Sequence, residues 1–198
     1  MASPDTRVMR AVILQMPEHW IAERRMTGED RRDECWDGVL HVSPQPTTSH
    51  QGLGMALLDA LKALADARGW RRFYEISVFD PDPARQKNWR VPDVSLVAPE
   101  HFTERGIEAR AELVIEILSP HDESRDKFDY YARCGIPEVW LVDPHTRVPE
   151  VYVLAGASYI TVQPDATGAL AAPSLGLALS AVAGPKLRIT SPAGTVEI

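Results

Sequence analysis

Only two cysteines, Cys35 and Cys134, occur in the 198 residues, so the chain can build neither a disulfide framework nor a four-cysteine zinc site. Long apolar runs are missing as well. Stretches such as Leu113 to Leu118 and Val139 to Val142 fall far short of a bilayer span, and acids interrupt them, so no membrane helix is expected. The N-terminus has no basic region followed by an apolar run and a small-residue cleavage site, which predicts a cytoplasmic protein. There is no Gly-x-Ser-x-Gly elbow, and Ser49 and His50 are chain neighbours rather than parts of a triad, so a serine hydrolase is not supported. A glycine-rich phosphate loop is lacking too, because Gly52 and Gly54 lie inside a helical pattern with no third glycine and no preceding strand. No internal repeat is visible. Basic residues are in deficit, 21 Lys and Arg against 28 Asp and Glu for a net charge of −7, which weighs against a dedicated nucleic-acid binder without ruling one out. Arginines are nonetheless grouped at Arg24-Arg25, Arg31-Arg32 and Arg71-Arg72, and Arg85, Lys87 and Arg90 lie close together, so the local field need not follow the average.

What is present is a composition for one folded α/β domain, with 44% hydrophobic and 25% charged residues. Glu18 to Thr27 reads as a short helix. Glu34 to Trp36 and Val39 to Val42 read as a hairpin across Asp37-Gly38, a pair that supplies the positive φ angles of a tight turn. From a cap at Thr48 or Ser49, Leu53, Leu57, Ala60, Leu61 and Leu64 recur at helical spacing up to Gly69. Phe73 to Phe79 and Val91 to Val97 read as strands, and Leu113 to Leu118 as a strand buried on both faces. A second helix is expected from an N-cap at Asp122 to Cys134, ended by Gly135 and followed by the buried strand Val139 to Val142. Val151 to Leu154 and Tyr159 to Val162 suggest a hairpin across Gly156, while the last thirty or so residues show no clear period. The expectation is a single domain over residues 1–198, with a helix and hairpin at 17–43 and a C-terminal β appendage at 149–198. Apolar residues in that final segment could cover a partner in a homodimer or close the domain's own core.

Glu116 is the most informative residue, since an ionised carboxylate inside a buried strand costs several kcal/mol unless a cation or hydrogen bonds compensate it. Asp93, after Pro92, starts a neighbouring apolar run, and two such acids at one sheet end, with water and a backbone carbonyl, make a hard oxygen site for Mg²⁺. The competing account pairs Glu116 with an arginine and leaves Asp93 as a strand start. Lys127, on the helix that follows, is placed to bring an ammonium beside the two acids, where it can orient a water and offset developing charge. Glu75 is a secondary candidate, limited by strand register, whereas Glu112, on the face of Glu116 by even spacing, is expected to be only an exposed strand start.

These residues resemble a known family. Val91-Pro92-Asp93-Val94, then Glu112 to Pro120 around Glu116, then Lys127 with Tyr131 to Pro144, are similar to the Uma family of restriction-endonuclease-like proteins in the PD-(D/E)XK nuclease superfamily. The resemblance runs from about Glu34 to Leu154. It implies an α/β fold with a restriction-endonuclease-like mixed β-sheet flanked by helices, Mg²⁺ or Mn²⁺ as cofactor, Asp93 and Glu116 as metal-binding acids and Lys127 as the catalytic lysine. It also implies that Glu34, and with it His50, stands near the active site. Leu118 occupies the place where the superfamily formula has lysine, and Val39 one where the family often has an acid. The expected activity is metal-dependent phosphodiester hydrolysis with DNA as substrate. The sequence does not separate DNA from RNA, and the alternative is a catalytically inactive binding or assembly protein on the same fold.

Overall fold

Turn chemistry shapes the N-terminal third. The computed structural model describes residues 12–13, 17–43, 45–85, 87–108, 110–119 and 123–198. After strand β1 (Val12–Ile13), helix α1 (Glu18–Thr27) stops at Gly28, whose φ of 73° lies in the left-handed region. Strands β2 (Glu34–Trp36) and β3 (Val39–His41) form the expected hairpin, with φ of 48° at Asp37 and 91° at Gly38. The long helical pattern is delivered as two helices, α2 (Thr48–Ala60) and α3 (Lys62–Arg68), meeting at Leu61. Thr47 is the cap rather than Thr48 or Ser49, its hydroxyl accepting the His50 N–H at 3.3 Å. Gly54 lets α2 lie close on the sheet, because a Cβ there would stand 2.3 Å from Cε2 of Tyr74.

The run from Phe73 to Phe79 is not one strand. It divides into β4 (Arg71–Tyr74) and β5 (Val78–Phe79), which belong to different sheets, and the break falls at Glu75, whose φ is 48°. The second run, Val91 to Val97, forms a strand only from Val94 as β7 (Val94–Val97), and the short β6 (Trp89–Arg90) precedes it. Strands β8 (Ile107–Glu108) and β9 (Leu113–Ile117) follow, then a 3₁₀ turn over Ser124–Lys127 that leads into α4 (Phe128–Arg133). Asp122, expected as the cap of that helix, lies outside the described residues. The chain continues through β10 (Glu138–Val142), β11 (Pro149–Ala155) and β12 (Ser158–Thr161). The segment without a legible period is a meander of β13 (Leu170–Ala172), β14 (Leu177–Val182), β15 (Lys186–Ser191) and β16 (Gly194–Glu197).

The central sheet has the order β12-β11-β10-β9-β7-β4. Its β7 runs antiparallel to both of its neighbours, β4 and β9, whereas β9 and β10 are parallel, which requires a crossover and is where α4 sits. Alternation along β9 separates the two faces. Leu113, Ile115 and Ile117 pack with Leu53, Leu57 and Leu61 of the α2/α3 layer, while Val114 packs with Tyr130 and Tyr131 of α4. Leu177, Leu179, Leu187 and Ile189 of the meander enter the first of these cores. A second mixed sheet, β1-β3-β2-β6-β5-β8, carries the N-terminal hairpin. The result is an α/β protein of mixed sheets flanked by helices, as expected.

Candidate active site

Strand register gathers the acids. Tyr74 faces Val94 and Val94 faces Ile115, so one step further along β4, β7 and β9 puts Glu75, Asp93 and Glu116 in a row at one end of the central sheet. The Glu75 N–H donates to the Asp93 carbonyl at 3.0 Å, and the Ile117 N–H donates to Asp93 Oδ2 at 2.6 Å. Glu116 shares its face with Val114 and therefore points to the α4 layer. There Lys127 Nζ lies 3.0 Å from Glu116 Oε1 and 2.8 Å from Glu34 Oε1. Tyr131, about one helical turn beyond Lys127, donates its hydroxyl to the same Glu116 oxygen at 2.5 Å. His50, in the first turn of α2, reaches the row from the other layer, with Nε2 3.3 Å from Asp93 Oδ2.

Glu34 comes from the second sheet and is buried. Its Oε1 accepts the Val91 N–H at 2.9 Å and its Oε2 accepts the Trp36 indole N–H at 2.7 Å. Both oxygens are thus engaged. In contrast, the bonds to Glu116 fall on Oε1 and those to Asp93 on Oδ2. Glu116 Oε2 and Asp93 Oδ1 have no side-chain or backbone donor among the described residues.

Burial pushes the Glu116 carboxyl upward, with Asp93 and Glu34 adding to the rise and the Lys127 ammonium opposing it. Desolvation draws the Lys127 ammonium down, yet the charges of Glu116, Glu34 and Asp93 outweigh it and hold this group above its ordinary value. One cation among three acids stays charged, and Glu116 is an acid that takes up a proton readily. Desolvation also lowers His50, but its bond to Asp93 and the charges of Asp93, Glu75 and Glu116 leave it raised overall. Glu75 is raised by burial and by Asp93, against the pull of Arg32 and His50.

The structure therefore brings Asp93, Glu116, Lys127, Glu34 and His50 together and adds Glu75 to them. Glu112 is not part of the group: it stands at the other end of β9 and pairs with Arg110 at 3.2 Å. Tyr131 was missed in the sequence, although its spacing from Lys127 was the available signal. Arg90 leaves the exposed basic group expected around Arg85 and Lys87. Its buried guanidinium donates to the Cys35 carbonyl at 2.8 Å and lies 4.4 Å and 4.2 Å from the rings of Trp36 and Tyr130.

Among the described residues no three His, Cys, Asp or Glu side chains form a metal cage. The oxygens that fit a divalent ion are the unengaged ones of Asp93 and Glu116, a two-carboxylate donor set of the hard type that Mg²⁺ and Mn²⁺ take with water completing the shell. An acid row, a bridging ammonium and a mixed sheet with a helical crossover define a restriction-endonuclease-like architecture. A family model described as "Uma2: Putative restriction endonuclease" matches residues 15–183, and the chain belongs to that family. A protein from Anabaena variabilis, whose crystal structure is described as that of "a putative nuclease belonging to DUF820", is similar in fold, with a TM-score of 0.55, 22% identity, and coverage of 72% of this chain and 82% of that one. No curated protein matches. No described helix is long and apolar enough to cross a membrane.

Proposed function

We propose that the protein hydrolyses phosphodiester bonds in DNA, with Mg²⁺ or Mn²⁺ as cofactor. The observation that carries this reading is the cross-strand row of Glu75, Asp93 and Glu116 with Lys127 Nζ set between Glu116 and Glu34 at 3.0 and 2.8 Å. Asp93 and Glu116 would hold the ion, which when bound polarises a phosphate and lowers the pKa of a water. The protein's own groups do the positioning. Tyr131 fixes Glu116 through Oε1, and the Ile117 N–H and His50 fix Asp93 through Oδ2. Lys127 is held protonated, so it acts as a donor rather than a base: it orients the attacking water and offsets the charge that builds on the phosphoryl oxygens. The water oxygen bonds to phosphorus and gives up a proton to solvent, while the bond to the leaving sugar oxygen breaks and that oxygen takes a proton from solvent to leave as the alcohol.

The test follows a supercoiled plasmid and a single-stranded substrate under Mg²⁺ and Mn²⁺, with wild type, Asp93→Ala and Glu116→Ala side by side. Cleavage by wild type that needs both the ion and the two acids is the expected result. Metal binding by wild type without cleavage of either substrate would replace this reading with a nuclease-fold binding protein.

A further inference from the structure

We infer that Arg125 is a positioning residue for Lys127: its grip on Glu150 sets the rotation of the turn that carries the ammonium to Glu116 and Glu34. The catalytic side of this inference rests on the proposed nuclease function, whereas its geometry stands apart from that function. Lys127 closes the 3₁₀ turn Ser124–Lys127, and no side-chain cap among the described residues holds the start of α4 there. A 3₁₀ turn has three residues per revolution, so residues three apart lie on the same side. Ser124 and Lys127 make one such pair: Ser124 is buried, and Lys127 reaches Glu116 and Glu34. Arg125 and Phe128 make the other, and both lie against β11. Nη2 of Arg125 stands 2.6 Å from each carboxylate oxygen of Glu150. The Phe128 ring meets the Tyr152 ring edge to face with centroids 4.7 Å apart, and the Tyr152 hydroxyl donates to Glu150 Oε2.

Both cations of the turn land on one row of the central sheet. Glu150 pairs with Leu141 of β10, and Leu141 pairs with Glu116 of β9, so the two carboxylates share a face and their backbones stand about 10 Å apart, two strand spacings. The turn therefore straddles three strands, with Lys127 seated on one outer strand and Arg125 on the other. A lysine side chain is a flexible four-carbon stem, and the orientation of its turn narrows it to the conformations that touch both acids. Exposed ion pairs contribute little to stability, and the Arg125 side chain is 52% exposed, so the clamp acts through orientation. Orientation is what the chemistry is sensitive to, since a displacement of about 1 Å at a reacting group can cost a factor of about 100 in rate.

The experiment acetylates wild type, Arg125→Ala, Arg125→Lys and Arg188→Ala with an N-hydroxysuccinimide ester and follows each lysine by mass spectrometry. Lys62 and Lys186, whose side chains are 58% and 51% exposed, serve as internal references. Arg188→Ala is the control, because it breaks another exposed pair, with Glu197 at 2.7 Å, in the meander. Tm, and kcat and KM for plasmid cleavage, are recorded in parallel. Lys127 should label more slowly than the references in wild type and about 5-fold faster in Arg125→Ala, the factor that loss of an exposed pair at full strength allows. Arg125→Lys should restore the protection, since the contact is made from a single terminal nitrogen that an ammonium can replace. Tm should fall by no more than about 3 °C in any variant, and kcat of Arg125→Ala by about 10-fold with KM unchanged. Unchanged labelling of Lys127 in Arg125→Ala overturns the assignment, whether or not the protein cuts nucleic acid. Faster labelling of every lysine with a lowered Tm overturns it too, in favour of general loosening, as does faster labelling of Lys127 in Arg188→Ala. Wild type that cleaves no nucleic acid while Lys127 labelling moves as stated removes the nuclease reading and leaves the clamp standing.

Discussion

Lys127 is one ammonium serving two carboxylates from different sheets, and its side chain is only 12% exposed. Removing it leaves Glu34 and Glu116 near each other with no counter-charge, the situation in which a buried ion pair becomes most expensive. Lys127→Met should therefore lower the unfolding free energy by about 3 kcal/mol, read from urea denaturation, as well as abolishing any cleavage. Loss of activity in that variant reports on the fold as much as on chemistry, so Glu116→Gln, which keeps an acceptor for Tyr131, is the cleaner probe of the ion. The sequence made Asp93, Glu116 and Lys127 legible because a carboxylate inside an apolar strand and a lysine on the next element stand out against their surroundings. It could not show that Glu34 spends both oxygens on Val91 and Trp36. Those partners are set by contact between two sheets, and nothing local encodes it.

Among the elements, short strands were the hardest to read. The apolar alternation from Phe73 to Phe79 is continuous, and only the backbone at Glu75, with φ of 48°, sends the chain from one sheet to the other. A glutamate is not a residue whose type signals a left-handed conformation. Helix α2 was legible from its leucines, yet the reason for Gly54 was not, since it lies across the interface in the Tyr74 ring. Gly54→Ala should favour the isolated helix but force Tyr74 aside, for a net loss of about 1 to 3 kcal/mol. Thermal unfolding of Gly54→Ala alone and with Tyr74→Ala would check this, the second change being expected to recover part of the loss.

The whole molecule closes its core with the meander, whose Ala/Leu-rich strands β13 and β14 carry little contrast between polar and apolar positions, although β15 alternates exposed Lys186 and Arg188 with buried Leu187 and Ile189. One buried acid ties the meander to the central sheet: Glu138 accepts the Trp140 indole N–H at 2.7 Å and the Ser174 N–H at 2.9 Å. Burial raises this carboxyl from its ordinary 4.5, against the lowering effect of Trp140 and Ser174. A raised folded value means that its contribution to stability is complete below about 4.5 and is lost as pH climbs through the folded value. Stability of wild type should accordingly fall, as pH rises from about 4.5 toward neutrality, more steeply than that of Glu138→Gln, which urea titrations at stepped pH would show. The acidic net charge of −7 acts in the same direction through self-repulsion at higher pH, and it is common to both proteins, so the difference between them isolates Glu138.

Because the ammonium of Lys127 is clasped by one acid from each of two sheets, the proposed reactive centre exists only while those sheets are docked. It behaves as a latch on assembly: a chain whose N-terminal hairpin has come loose keeps most of its hydrophobic interior but loses Glu34, and with it the grip that aims the lysine. Such a half-open molecule would be folded and, on the proposed function, inert until its architecture is complete.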